Sequence, residues 1–127
     1  MNESTVADWV GRYVRAWETN DPAAIGDLFA EDASYAQRPD DEPWRGRDGI
    51  VAGWLKNKDD PGTWTFRSEV LAATGALAFV RGWTRYTDPP AEYNNLWVIR
   101  FDSEGRCREF TEWWMELASR ESNVESR

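Results

Sequence analysis

The chain predicts an α+β fold: a long, curved, antiparallel-rich sheet wrapped around three helices from the N-terminal half, enclosing a cavity like a cone. Three observations lead there. Apolar residues recur at helical spacing in the first half of the sequence. Four long runs of strand character, separated by turn sequences, fill the second half. Strands of that length must twist and curl, and helices that precede them can cover the concave side.

Each element has its own signals. Thr5 and Asp8 open the first helix in the manner of a capping box. Val6, Trp9, Val10, Tyr13, Val14 and Trp17 then recur at helical spacing to about Glu18. Asn20-Asp21-Pro22 stops that helix and starts another, with Asp21 as N-cap and Pro22 in the first turn. Ile25, Leu28 and Phe29 are the apolar positions of this short second helix. Residues 33–37 read as a short strand and 38–45 as a loop rich in proline and acid. A third helix spans 48–58, with Ile50, Val51, Trp54 and Leu55 on one side, and Pro61-Gly62 ends it. Strands follow at 63–73, 76–87, 92–101 and 106–117. Ser103-Glu104-Gly105 is a hairpin turn with glycine at the left-handed position. Residues 118–127 are a polar tail, and one domain is expected over 1–127 with its core at about 5–117.

Composition narrows the chemistry. The net charge is −8, from 15 basic and 23 acidic residues. That argues against nucleic acid and against an anionic membrane surface. There is no histidine, which removes Ser-His-Asp and Cys-His catalysis and His-based metal sites. Acid-base work falls to Asp, Glu, Tyr, Lys or water. Cys107 is the one cysteine, so no internal disulfide forms, and a reducing, cytoplasmic location is the expectation. Neither a signal peptide nor an apolar run of transmembrane length is visible. No metal cluster or glycine-rich nucleotide loop stands out, and no cofactor is implied. Nine tryptophans, by contrast, are more than packing alone usually requires. They suit an aromatic-rich core or dimer face, or the walls of a pocket for an apolar ligand.

The segment Arg108-Glu-Phe-Thr-Glu-Trp-Trp-Met-Glu-Leu117 carries most information, because it places Glu112 on the last strand between bulky aromatics. Tyr35, Gln37 and Arg81 are the polar residues expected to meet it. With a three-residue turn at 103–105, Asp102 pairs with Arg106. Arg100 then opposes Arg108, Val98 Phe110, Leu96 Glu112 and Asn94 Trp114. Phe79, Arg81 and Trp83 share one face of the preceding strand. Trp97, Ile99, Phe101, Trp113 and Met115 fall on the other face, which reads as a dimer surface. Both faces are partly apolar, so a one-residue slip would exchange them.

The order of elements, with Asn20-Asp21-Pro22, Phe29-Ala-Glu-Asp32, Tyr35, Gly46-Arg47-Asp48-Gly-Ile50 and four long strands, resembles the NTF2-like superfamily, and within it the SnoaL-like group. The likeness covers about residues 5–117. It implies the curved-sheet cone, also called cystatin-like, and commonly a homodimer. Members include ketosteroid isomerases, polyketide cyclases, dehydratases and limonene-epoxide hydrolases. In the last of these a Tyr-x-Asn pair and a last-strand carboxylate hold a water, and an Arg-x-Asp pair supplies an acid. Tyr35-Ala-Gln37, Glu112 and Arg81-Gly82-Trp83 are similar to these three elements, but Trp83 stands where the acid belongs, and indole delivers no proton at useful acidity.

Three functions fit the residues. One is an enzyme with Glu112 as general base, Arg81 orienting it or stabilising an oxyanion, and Tyr35 donating to a carbonyl. Substrate contacts would come from Gln37, Trp83, Tyr13, Trp17, Trp54, Phe79, Leu96, Phe110 and Trp114. The second is a binding protein for a small apolar molecule, with Glu112 and Arg81 as a structural ion pair. The third is an interaction module that uses an aromatic sheet face, as in a homodimer.

Overall fold

The computed structural model describes residues 1–117, and the expected polar tail lies outside the described residues. The elements run α1 (Glu3–Thr19), α2 (Pro22–Gly26), β1 (Phe29–Ala36), β2 (Trp44–Arg45), α3 (Gly46–Lys56), β3 (Trp64–Thr74), β4 (Leu77–Thr87), β5 (Pro90–Phe101) and β6 (Cys107–Glu116). The strands form one curved, open sheet in the order β2-β1-β6-β5-β4-β3. β1 runs parallel to β6, and every other neighbouring pair is antiparallel. The helices pack on the concave side. No helix among the described residues is long and apolar enough to cross a membrane.

The capping chemistry sets the helix ends. Asn2 caps α1: its side chain accepts from the Thr5 N–H at 2.9 Å, and the Thr5 hydroxyl accepts from the Asn2 N–H at 3.0 Å. The capping box therefore begins three residues earlier than Thr5 itself suggests. Asn20 ends α1 in the left-handed region at φ 55°. Its side chain then joins two other segments, accepting from Trp54 Nε1 at 3.2 Å and donating to the Asp59 carbonyl at 3.0 Å. α2 begins at Asp21-Pro22 as expected but ends at Gly26, so Phe29 belongs to β1 rather than to a helix.

The core lies between α1 and the sheet. Trp9 is fully buried, donates from Nε1 to the Leu28 carbonyl at 3.0 Å and packs against Phe29, Phe101 and Phe110. Burying an aromatic of that size stabilises the fold by roughly 2–3 kcal/mol. One turn further on, Tyr13 stacks on Phe110 at 5.6 Å and meets Trp97 at 4.6 Å.

The register of the last hairpin corrects the sequence-based pairing. Asp102 does bond to Arg106, with its N–H donating to the Arg106 carbonyl at 2.8 Å. Phe101 then pairs with Cys107, and Arg100 pairs with Glu109, which leaves Arg108 as a bulge. From that point every partner shifts by one. Glu112 opposes Trp97 instead of Leu96, and Trp114 opposes Asn95 instead of Asn94. The faces of β4 and β5 are therefore exchanged, while those of β6 stand as expected. Trp97, Ile99 and Phe101, expected on a dimer surface, are core residues, whereas Phe79, Arg81, Trp83 and Leu96 share the convex face with Trp113 and Met115. Burial decides between the registers: Ile99 and Phe110 pair directly and both are fully buried.

Candidate functional site

Where the cone opens, the concave side of the sheet holds a cavity of about 340 Å³. Glu112 of β6 projects into it. Its neighbours come from α1 (Tyr13, Trp17), β1 and the residue after it (Tyr35, Gln37), β2 (Trp44), α3 (Trp54), the 57–63 loop (Asp59), β4 (Thr84, Tyr86), β5 (Tyr93, Asn95, Trp97) and β6 (Trp114).

Two glycines seat the aromatic walls. A side-chain carbon on Gly82 would collide with the Phe66 ring, so glycine lets Phe66 lie flat over β4 and stack on Trp97 at 5.1 Å. Gly53 does the same for Trp44, which stacks on Tyr35 at 5.0 Å. Tyr35 in turn stacks on Phe110 at 4.5 Å. Phe110 is fully buried beneath the tyrosines and does not line the cavity.

Glu112 is held by a short polar chain. Asn95 Nδ2 donates to Glu112 Oε2 at 2.6 Å, and Thr84 Oγ1 donates to Asn95 Oδ1 at 2.7 Å. Trp97 Nε1 makes a longer contact to the same oxygen at 3.4 Å. The threonine contact fixes the amide so that its NH₂ faces the carboxylate. Among the described residues no cation pairs with Glu112. Burial pushes its carboxyl up to about 7, and the hydrogen bonds from Asn95 and Trp97 offset only part of that rise.

Two tyrosines complete the inner end. Tyr13 and Tyr35 share a hydrogen bond of 2.6 Å between their hydroxyls. Burial, followed by the neighbouring charges, raises both well above the usual tyrosine range, so both stay protonated at neutral pH. One O–H is used within the pair, which leaves the other able to donate to a ligand.

The expected site residues divide cleanly by face. Glu112, Tyr35, Gln37, Tyr13, Trp17, Trp54 and Trp114 meet at the cavity. Arg81, Trp83, Phe79 and Leu96 do not. The Arg81 guanidinium lies 4.5 Å from the Trp83 ring, to which Arg67 also packs at 4.2 Å. The expected Glu112–Arg81 pair is thus replaced by Glu112–Asn95–Thr84. Sequence reasoning missed Asn95, Thr84, Trp97, Trp44, Tyr86 and Asp59. Asn95 carried a signal, being an amide in the midst of an apolar strand. Asp59 carried none, because Asp-Asp-Pro-Gly reads as a turn.

A cone of this topology with a cavity at its open end defines the NTF2-like class. The family model for the SnoaL-like domain matches residues 10–110, and the chain belongs to that family. Solved structures give the same fold. An NTF-2 like protein of unknown function from Burkholderia xenovorans superposes with a TM-score of 0.73 at 17% identity, over 94% of this chain and 89% of the other. A candidate ketosteroid isomerase from Kribbella flavida gives 0.71 at 21% identity, over 93% and 82%. An LEH-like epoxide hydrolase from M. tuberculosis gives 0.67 at 14% identity, over 89% and 84%. Among curated proteins no significant match was found.

Proposed function

We propose that this protein binds a small, mainly apolar molecule in the aromatic cavity and moves a proton on it, with Glu112 as general base. The carrying observation is Glu112 itself: a carboxylate with no cationic partner among the described residues, oriented by Asn95, in a cavity walled by aromatics. A base poised near neutrality combines a useful ionised fraction with useful basicity. The Tyr13–Tyr35 pair supplies a neutral donor for a carbonyl or enolate oxygen. That set suits isomerisation, aldol-type cyclisation or dehydration of a carbonyl compound. Epoxide opening with an Arg-x-acid element is less well served, because the inward positions of β4 are Val80, Gly82 and Thr84. The likeness to a candidate ketosteroid isomerase is consistent with this reading.

The same reading includes a homodimer through the convex face. A groove of about 740 Å³ runs there, bordered by Arg38, Leu71, Leu96, Trp113 and Met115. Trp113 is 52% exposed and Met115 67%, which is much apolar surface for a face left in water.

The test is turnover of unsaturated ketones, aldol substrates and epoxides by the native protein and by Glu112→Gln. Turnover by the native protein that falls at least about a hundredfold in the variant supports the proposal. Retention of compounds by both proteins without turnover would make this a binding protein instead.

A further inference from the structure

The cavity holds a second carboxylate that proton transfer does not use. Asp59 sits on the loop between α3 and β3, half-buried at the cavity wall. Its position is fixed from three sides. Trp17 Nε1 donates to Oδ2 at 3.0 Å, the Tyr86 hydroxyl donates to the same oxygen at 3.1 Å, and Asn20 holds the Asp59 carbonyl. Both side-chain donors are neutral and both use one oxygen. Oδ1 accepts no hydrogen bond among the described residues, and no cation pairs with the carboxylate there. Lys58 borders the same cavity, but it is exposed and forms no ion pair with Asp59.

An immobilised anion beside tryptophan and tyrosine rings, with one oxygen unengaged, is an arrangement that favours a cation. Ammonium groups are attracted both to aromatic rings and to the carboxylate. Anionic ligands meet the opposite condition: Asp59 and Glu112 both repel them, and among the described residues no arginine lines the cavity. The net charge of −8 adds a long-range field of the same sign. Tyr86 lies against Asp59 at the cavity wall. Its hydroxyl is pushed above the usual tyrosine range, first by burial and then by Asp59, with Glu112 contributing.

We propose that the cavity selects a protonated amine carried on an apolar body, with the ammonium group at Asp59 and the apolar part extending toward Glu112. The inference rests on the reading of this cavity as the ligand site and adds the charge class of the ligand.

Calorimetric titration with a matched trio, phenylbutylamine, phenylbutanol and phenylbutyrate, tests it. The amine is expected to bind about tenfold or more tighter than the alcohol, and the carboxylate not to bind measurably. Asp59→Asn should remove the amine's advantage over the alcohol while the alcohol still binds. Equal affinity for amine and alcohol, or an advantage that survives Asp59→Asn, would overturn the cation inference and leave the cavity reading intact. Failure of all three probes to bind would overturn both. Should Asp59→Asn fail to fold, a crystal structure of the native protein with phenylbutylamine decides the question: the nitrogen lies within hydrogen-bonding distance of Asp59, or the proposal falls.

Discussion

Glu112 is costly to ionise where it sits, and that cost has a sign that stability measurements can read. Its carboxyl is raised from 4.5 to about 7 by burial, so the folded protein holds the proton more tightly than the unfolded chain does. Stability contributed by the protonated form is complete below about pH 4.5 and is lost as pH rises through 7, by roughly 3 kcal/mol in all. Glu112→Gln keeps an acceptor for Asn95 and removes the charge. The variant should therefore melt above the native protein at pH 8, with the difference closing toward pH 5, as thermal unfolding across that range will show. Asn95→Ala should act in the other direction. It removes the bond that favours the carboxylate, so the pH midpoint of any Glu112-dependent rate should move upward. It also leaves Thr84 without its acceptor, at a cost of about 1–3 kcal/mol in denaturant unfolding. Glu112 was legible in the sequence as an acid among aromatics, but its partner was not. Asn94 and Asn95 are adjacent and chemically identical, and only the register distinguishes them.

That register is a property of elements rather than of residues. The hairpin turn, the boundaries of the last four strands to within two residues and the helix stop at Asn20-Asp21-Pro22 could all be read from local chemistry, since each depends on turn or cap residues, whereas the first strand begins four residues before the expected 33. The bulge at Arg108 could not. It follows a correctly read turn, and strands β5 and β6 are apolar on both faces, so alternation alone left either pairing open. A single extra residue then exchanged the faces of β4 and β5 relative to β6 and carried Arg81 away from Glu112. β2 was missed for a different reason: two residues give too short a pattern to see, and Trp44–Arg45 pairs only because β1 offers an edge. The packing of elements also predicts a fragile point on β4. Gly82→Ala places a methyl group where the Phe66 ring lies and should cost about 1–3 kcal/mol in denaturant unfolding. The displaced ring would disturb Trp97 and, through it, the environment of Glu112.

For the whole molecule, the sheet separates two surfaces of opposite character. The concave side gathers polar groups among aromatics, while the convex side exposes Leu71, Trp113 and Met115 around a groove. If the convex face joins two copies, Trp113→Glu should place charge in that interface and shift the mass measured by sedimentation from two chains to one. Were the native protein already a single chain at micromolar concentration, the dimer proposal would fall. The overall α+β order was legible because helical and strand periodicities occupy separate halves of the chain. Which face would be wet was not, because it depends on the bulge. The tryptophans have an optical consequence as well. Five of the nine, Trp17, Trp44, Trp54, Trp97 and Trp114, border the cavity, and Trp97 also contacts the carboxylate. Their intrinsic emission is a built-in spectroscopic gauge that should register occupancy and the ionisation of Glu112 together, with no label attached.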